Sequence, residues 1–288
     1  MGLKGERFMK EIHVDDIRDS VRKLCIDANY FLPADVKEAI MDAKAEETWP
    51  VAKDILEKII ENVEISKDEN VPMCQDTGMA CVFLEIGQDV HVTGGSIEDA
   101  VNEGVRIGYA EGYLRKSVVR DPINRVNTGD NTPAVIYYDM VPGDKLKIMV
   151  APKGFGSENM SRIMMLKPAD GIEGVKEFIL KTVEEAGPNP CPPVVVGVGI
   201  GGTFDRAALL AKKALTRSLS KRNEDPFYKE LEAELLQKIN ALGIGPQGFG
   251  GKTTALAVNI ETFPTHIAGL PVAVNINCHV TRHKEITL

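Results

Sequence analysis

Residues 194–219, VVVGVGIGGTFDRAALLAKKALTRSL, decide the fold class. The run from Val194 to Ile200 is small and apolar throughout, which suits a strand covered on both faces. Only Gly-Gly-Thr separates it from FDRAALLAKKALTRSL, whose apolar residues recur at helical spacing. A buried strand passing straight into a helix belongs to an α/β architecture. Downstream come a second helix, DPFYKELEAELLQKINAL, a glycine-rich loop, GIGPQGFGGK, and two apolar strands, TALAVNI and PVAVNINC.

Upstream, GVKEFILKTVEEA reads as a helix and GPNPCPP as a Pro-bracketed turn. KGFGSENMSRIMML reads as a glycine-rich turn running into a helix. AVIYYDMV and KLKIMVAP flank the turn residues PGD and read as a hairpin. RKSVVRDPINRVNTGDNTPA is polar and, at about 20 residues, longer than most connections, which makes it a candidate functional loop. Ser96 and Asp99 form a capping box for a helix running toward Arg115. ACVFLEIG is a strand. The first third is helical: DDIRDSVRKLCIDANYF, a segment opened by Pro33, and WPVAKDILEKIIENVEI, which polar SKDENVP breaks. There is no internal repeat and no linker. The expected fold is α/β, a helical N-terminal segment followed by mixed β-sheets flanked by helices, with residues 1–288 as one compact unit.

The chain has 288 residues, 43% hydrophobic and 26% charged, an ordinary globular balance. A formal net charge of −8 gives no general attraction for nucleic acid or an anionic membrane. It also repels an anionic substrate at long range, so such a substrate needs a local basic pocket. No stretch approaches about 18 uninterrupted apolar residues, so a membrane span is not expected. The opening MGLKGERFMKEIHVDD lacks the apolar core of a signal peptide. Five cysteines, an odd number, point to a reducing cytoplasm rather than a disulfide framework.

Two nucleotide signatures fail on context. Gly197, Gly199 and Gly202 spell G-x-G-x-x-G after a strand, but the region about 20 residues on, SKRNEDPF, is a polar break between helices and not the acidic end of a second strand. That glycine turn is expected to be structural, closing a strand-to-helix turn near Cys191. GPQGFGGKTT has Pro246 where a phosphate loop needs glycine, and it follows a helix.

The cysteines say more. Cys74, Cys191 and Cys278 each stand where an element meets a turn, in PMCQDTG, NPCPPV and NINCHVTRH. Cys25 lies in an amphipathic helix and Cys81 in an apolar strand, where core packing explains them. Three loop-borne thiolates suit a soft metal centre, without the paired spacing of structural zinc. On a cubane iron–sulfur cluster they leave one iron without a protein ligand, the open position that Lewis-acid chemistry needs.

PMCQDTGM, NTGDNTPA, KGFGSENMS, NPCPPVVVGVGIGGT, AKKAL, GIGPQGFGGKTTALAV and CHVTRH together resemble the α subunit, or N-terminal part, of class I fumarate hydratases and the related tartrate dehydratases. The resemblance runs from about residue 10 to the end. It implies a 4Fe-4S cluster on Cys74, Cys191 and Cys278, with Gln75, Asp76, Arg115, Gly156 and His266 contacting substrate. Asp76 and His266 are then the candidates for proton transfer. Residue by residue, the plainer readings are a turn aspartate, a solvated helix-end arginine and a surface histidine. His279 and His283 stay unassigned.

The implied reaction is reversible hydration of fumarate to malate. The alternative is an L-tartrate dehydratase α subunit. A regulatory or electron-transfer iron–sulfur protein is the reading from another class. Family members carry a further region, a β subunit or C-terminal domain, that completes the site. This chain stops soon after Cys278, so a β partner in an α2β2-type oligomer is expected. Lys153, Lys252 and Arg282 are candidates for the second carboxylate of a dicarboxylate.

Overall fold

A computed structural model describes residues 9–288; the stretch read for a leader falls half outside them. In chain order the elements are β1 (Lys10–His13), α1 (Val14–Tyr30), α2 (Ala34–Glu46), α3 (Pro50–Glu69), β2 (Met79–Gly87), β3 (Val90–Thr93), α4 (Ile97–Glu111), β4 (Val135–Val141), β5 (Leu146–Lys153), α5 (Phe155–Glu158), β6 (Arg162–Leu166), α6 (Gly171–Ala186), β7 (Val194–Gly201), α7 (Phe204–Ala214), α8 (Pro226–Ala241), β8 (Ala255–Phe263), β9 (Leu270–Asn277) and β10 (Lys284–Thr287). This is the expected α/β fold, with helices first and mixed sheets after.

The chain divides into two units where the sequence suggests one. The first takes the residues through Phe31, Ser66–Lys153 and Arg282–Leu288, and the second takes Leu32–Ile65 and Gly154–Thr281. The physical reason is that two four-stranded sheets form, each with its own apolar core.

In the second unit the sheet order is β6-β9-β7-β8, with β7 parallel to β8 and antiparallel to β9. Every residue of β7 is buried. Val194, Val196, Val198 and Ile200 pack with α6 and α8 through Ile179, Leu235 and Ile239. The intervening positions face α7. There a Cβ on Gly197 would stand 2.2 Å from the Ala211 carbonyl oxygen, and one on Gly199 2.1 Å from that of Ala207. The alternating glycines thus let α7 lie directly on the strand. The turn after them closes with Gly201 at φ 92° and Gly202 at φ 71°, in the left-handed region. The turn is structural, as expected, but it closes the end of β7 remote from Cys191.

The first unit stacks α1 and α4 on one face of a sheet ordered β10-β5-β2-β4. Ala80, Val82 and Leu84 of β2 and Leu146, Ile148 and Val150 of β5 form its inward face. The Ser96 hydroxyl accepts the Asp99 N–H at 3.3 Å and caps α4. β4 and β5 do not form the expected hairpin: β2 lies between them, parallel to β4 and antiparallel to β5. A turn of the right composition allows a reversal but does not choose the partner, and β2, buried from Ala80 to Leu84, takes the inner place. In the second unit, Arg162–Leu166, expected as helix, is edge strand β6, paired to β9.

Gly199→Ala is expected to destabilise the chain by about 1–3 kcal/mol or more, because the added methyl meets backbone. Denaturant titration reads this, and wild-type stability would contradict the packing. Calorimetry with NAD or ATP should show no binding; saturable micromolar binding of either would restore a nucleotide role to the glycine turn.

Candidate active site

The antiparallel register of β7 and β9 pairs Val195 with Asn277. The start of β7 and the end of β9 therefore lie together, and Cys191 and Cys278 stand in the adjoining loops. The His279 backbone N–H donates to the Cys191 carbonyl oxygen at 3.3 Å, and His279 Nδ1 lies 3.0 Å from the same oxygen. Gln247 Nε2 lies 3.2 Å from the same ring nitrogen, so Nδ1 stands between the Cys191 carbonyl and the Gln247 amide. Cys191 is exposed and holds φ 54°, a left-handed conformation that a side-chain-bearing residue seldom adopts. Its turn is braced from below: the Gln247 N–H and Nε2 both donate to the Pro192 carbonyl, at 2.7 and 2.8 Å. Gly248 lies so close to Pro188 that a Cβ would stand 2.4 Å from it. The loop that mimics a phosphate-binding motif is thus a buttress for Cys191. Its far side is occupied by Glu47, whose carboxylate accepts the Lys252 N–H at 2.7 Å.

Gly156, exposed in the short α5, joins this group. A Cβ there would meet only the Asn189 carbonyl oxygen, at 3.8 Å. Asn189 is two residues before Cys191. Nothing in the chain demands glycine at 156, so the vacant side is room beside the Cys191 turn. Below α5, Lys212 Nζ donates to Glu158 at 2.6 Å and Asn275 Nδ2 to the other oxygen of Glu158 at 2.7 Å, which ties the loop to β9.

In the first unit, Cys74, Gln75 and Asp76 occupy the loop before β2. The loop is anchored by the Met73 N–H to the Asn29 carbonyl at 3.0 Å. Cys74 Sγ lies 3.5 Å from Gln75 Oε1, and Asp76 Oδ1 accepts the Gly78 N–H at 3.1 Å. Buried Thr77 brings in Arg115: its hydroxyl accepts the Arg115 N–H at 2.8 Å and donates to the Arg115 carbonyl at 3.3 Å. Arg115 itself is exposed. The loop after it is scaffold. Buried Asn131 accepts the Ser117 N–H at 2.7 Å, and Asp130 accepts Thr132 Oγ1 at 2.7 Å and Arg106 Nε at 3.1 Å. Burial alone would raise the Asp130 carboxyl, but the Thr132 hydroxyl and N–H, Arg106 and Thr128 pull it down to about 2.

The structure keeps His266 away from Cys191 and Cys278. It lies exposed in the β8–β9 turn, beside Thr265, which donates to the Gly202 carbonyl at 2.9 Å at the far end of β7. A strand of that length puts roughly 20 Å or more between the two ends. Cys25 and Cys81 are buried, and desolvation pushes the Cys25 thiol up to about 12, so it stays protonated. Among the described residues no three His, Cys, Asp or Glu side chains are grouped to hold one metal ion. Of the other basic candidates, Lys153 is buried, Lys252 Nζ donates to the Glu46 carbonyl at 2.9 Å, and Arg282 is held on Asp76. The sequence singles out neither Gln247 nor a role for His279, since nothing in their local spacing reveals a contact to a cysteine turn far along the chain.

The fumarate hydratase (Fumerase) family model matches residues 18–287. The chain belongs to this family. A putative L(+)-tartrate dehydratase subunit alpha of Methanocaldococcus jannaschii is 46% identical over 272 residues, covering 92% of this chain and 95% of the relative. The L(+)-tartrate dehydratase subunits alpha of Escherichia coli K12 and Shigella sonnei are each 33% identical over 255 residues, covering 87% of this chain and 84% of theirs. As a member of the fumarate hydratase family the chain is a hydro-lyase polypeptide, and the polar scaffold around Arg115 is part of its architecture. No helix among its described residues is long and apolar enough to cross a membrane.

That scaffold has a pH signature. The Asp130 carboxyl is depressed in the folded state, so its contribution is present above the ordinary value of 3.8 and is lost as pH falls through about 2. Asp130→Asn should therefore cost about 2 kcal/mol at neutral pH, with the difference from wild type shrinking between about pH 4 and 2. Equal stability of the two proteins at pH 7 in urea would contradict the assignment.

Proposed function

We propose that this chain is the α subunit of an iron–sulfur-dependent dehydratase for a four-carbon hydroxy-dicarboxylate, with L(+)-tartrate as its substrate. The observation that carries the reading is the joining of the Cys191 and Cys278 loops through His279, with Gly156 opening beside them. The substrate follows the names of the relatives, which favour tartrate over the fumarate–malate reaction that the motifs first suggest. The family model's own name keeps the fumarate–malate reaction as the second reading.

The donor set fits a 4Fe-4S cluster. Cys191 is exposed and Cys74 and Cys278 are half-buried, so all three have access as thiolate ligands, whereas Cys25 and Cys81 do not. Each cysteine of a cubane bonds a different iron, so convergence on a single ion is not what it requires. When bound, a cluster with three protein ligands supplies an open iron as a Lewis acid for a departing hydroxyl group.

The chain's own residues do the rest. Arg115 offers forked donors to one substrate carboxylate, where charge accumulates as the neighbouring proton leaves. Gln75 holds a substrate hydroxyl or carboxylate oxygen. Asp76 takes the proton or holds the group that does. The open side of Gly156 admits a carboxylate against the backbone. Loss of water from tartrate leaves an enol, which becomes oxaloacetate by moving one proton; loss of water from malate leaves fumarate directly. A β subunit supplies the second basic group, which favours an α2β2-type assembly in a reducing cytoplasm.

Cluster-replete α chain with its β chain, handled without oxygen, should convert L(+)-tartrate to oxaloacetate. It should act at least about tenfold better on this substrate than on malate or fumarate by kcat/KM. Absence of turnover with all three would overturn the hydro-lyase reading, and preference for fumarate would restore the second one. Asp76→Asn should lower kcat about 100-fold or more with little change in KM. Serine at Cys74, Cys191 or Cys278 should abolish stable iron binding, and serine at Cys25 or Cys81 should not. Equal iron loss from the buried pair would move the ligands elsewhere.

A further inference from the structure

Arg282 is 5% exposed. Desolvating a guanidinium is strongly unfavourable unless a carboxylate pairs with it. Among the described residues no carboxylate forms an ion pair with Arg282, and its Nε has no hydrogen-bond partner. Among the described residues its hydrogen bond runs from Nη2 to the backbone carbonyl of Asp76.

That bond is the first of a series along the loop. Tyr109 OH lies 2.8 Å from the Thr77 carbonyl oxygen and 3.1 Å from that of Gly78, and Asn131 Nδ2 donates to Gly78 at 3.2 Å. Three successive carbonyls, of Asp76, Thr77 and Gly78, are thus each held by a buried side chain. Tyr109 is 1% exposed and Asn131 fully buried. The Asp76 carboxylate is turned by the Gly78 N–H, and the Thr77 hydroxyl holds Arg115. Rotation of the Asp76 peptide would disturb both groups at once. Neutral Tyr109 and Asn131 suffice for the second and third carbonyls. A charge at the first, buried at a cost, has a use only where negative charge gathers, and the loop carries Asp76 and faces an anionic substrate.

We propose that Arg282 is a positioning residue for the dehydration. It fixes the Asp76 peptide, and with it the Asp76 carboxylate, while its buried charge backs the end of the site where anionic groups meet. This rests on the dehydratase reading above. The role goes beyond that of a substrate-binding base, because the guanidinium acts through the peptide it holds.

The test uses the cluster-loaded α–β complex, with iron content and the visible spectrum measured for each variant. Arg282→Met should keep the cluster and KM within about threefold of wild type, while kcat falls about 100-fold. Arg282→Lys, which keeps charge and a donor, should recover at least about tenfold of that loss, and Arg282→Gln, which keeps only a donor, should recover less. Wild-type kcat in the Met variant, a loss confined to KM, or equal kcat in the Lys and Gln variants would overturn the proposal. Loss of cluster in all three would make Arg282 a folding residue and overturn it too. If the Met variant alone fails to fold, the order of Lys above Gln decides. A wild-type complex that dehydrates none of the hydroxy-dicarboxylates would sink the functional reading instead, since the proposal is scored only against a working wild type.

Discussion

The antiparallel pairing of β9 against β7 is the constraint on which the second unit's chemistry depends. It brings the residue after the last strand position of β9 beside the residues before the first strand position of β7, and those loops hold Cys278 and Cys191. The pairing needs β7 at the centre of the sheet with both faces covered. Gly197 and Gly199 meet that demand on one face by admitting α7 to backbone contact. The valines of the other face meet it by packing on α6 and α8. Once the strands are set, short-range bonds from His279 and Gln247 hold the Cys191 turn in a conformation it would not hold alone.

The first unit solves a similar problem without cysteine pairs. Its loop from Cys74 to Gly78 has no regular secondary structure, so its carbonyls need side-chain partners. Arg282, Tyr109 and Asn131 provide them, and they come from a C-terminal segment, a helix and a long polar loop. The same packing brings Arg115 to Asp76 through Thr77. A rigid carrier for exposed functional groups is what a reaction that separates charge requires.

Much of this was legible in the sequence for physical reasons. A strand apolar at every position has to be buried on both faces, so Val194–Gly201 identified an α/β core. Loop-borne cysteines beside Pro and Asp stood out from Cys25 and Cys81, whose neighbours are core residues. What was not legible depended on partners distant in sequence. β2 displaces the expected β4–β5 hairpin because pairing is chosen by apolar faces that only the assembled sheet compares. Arg162–Leu166 contains residues of either propensity, and the open edge of β9 decides for a strand. The glycine turn after β7 closes the end of the strand remote from Cys191, because the strand runs away from that cysteine, and composition alone does not give that direction. His266 was placed by motif, and strand length separates it from the cysteines within one chain.

In the proposed function three cysteines of this chain would hold a cluster whose remaining iron is open to substrate. Mössbauer spectroscopy of the anaerobic α–β complex, with and without L(+)-tartrate, tests it most directly. About a quarter of the iron signal, one site of a cubane, is expected to change its parameters on adding tartrate while the rest stays constant. Iron signals that all remain unchanged while tartrate is turned over would contradict it.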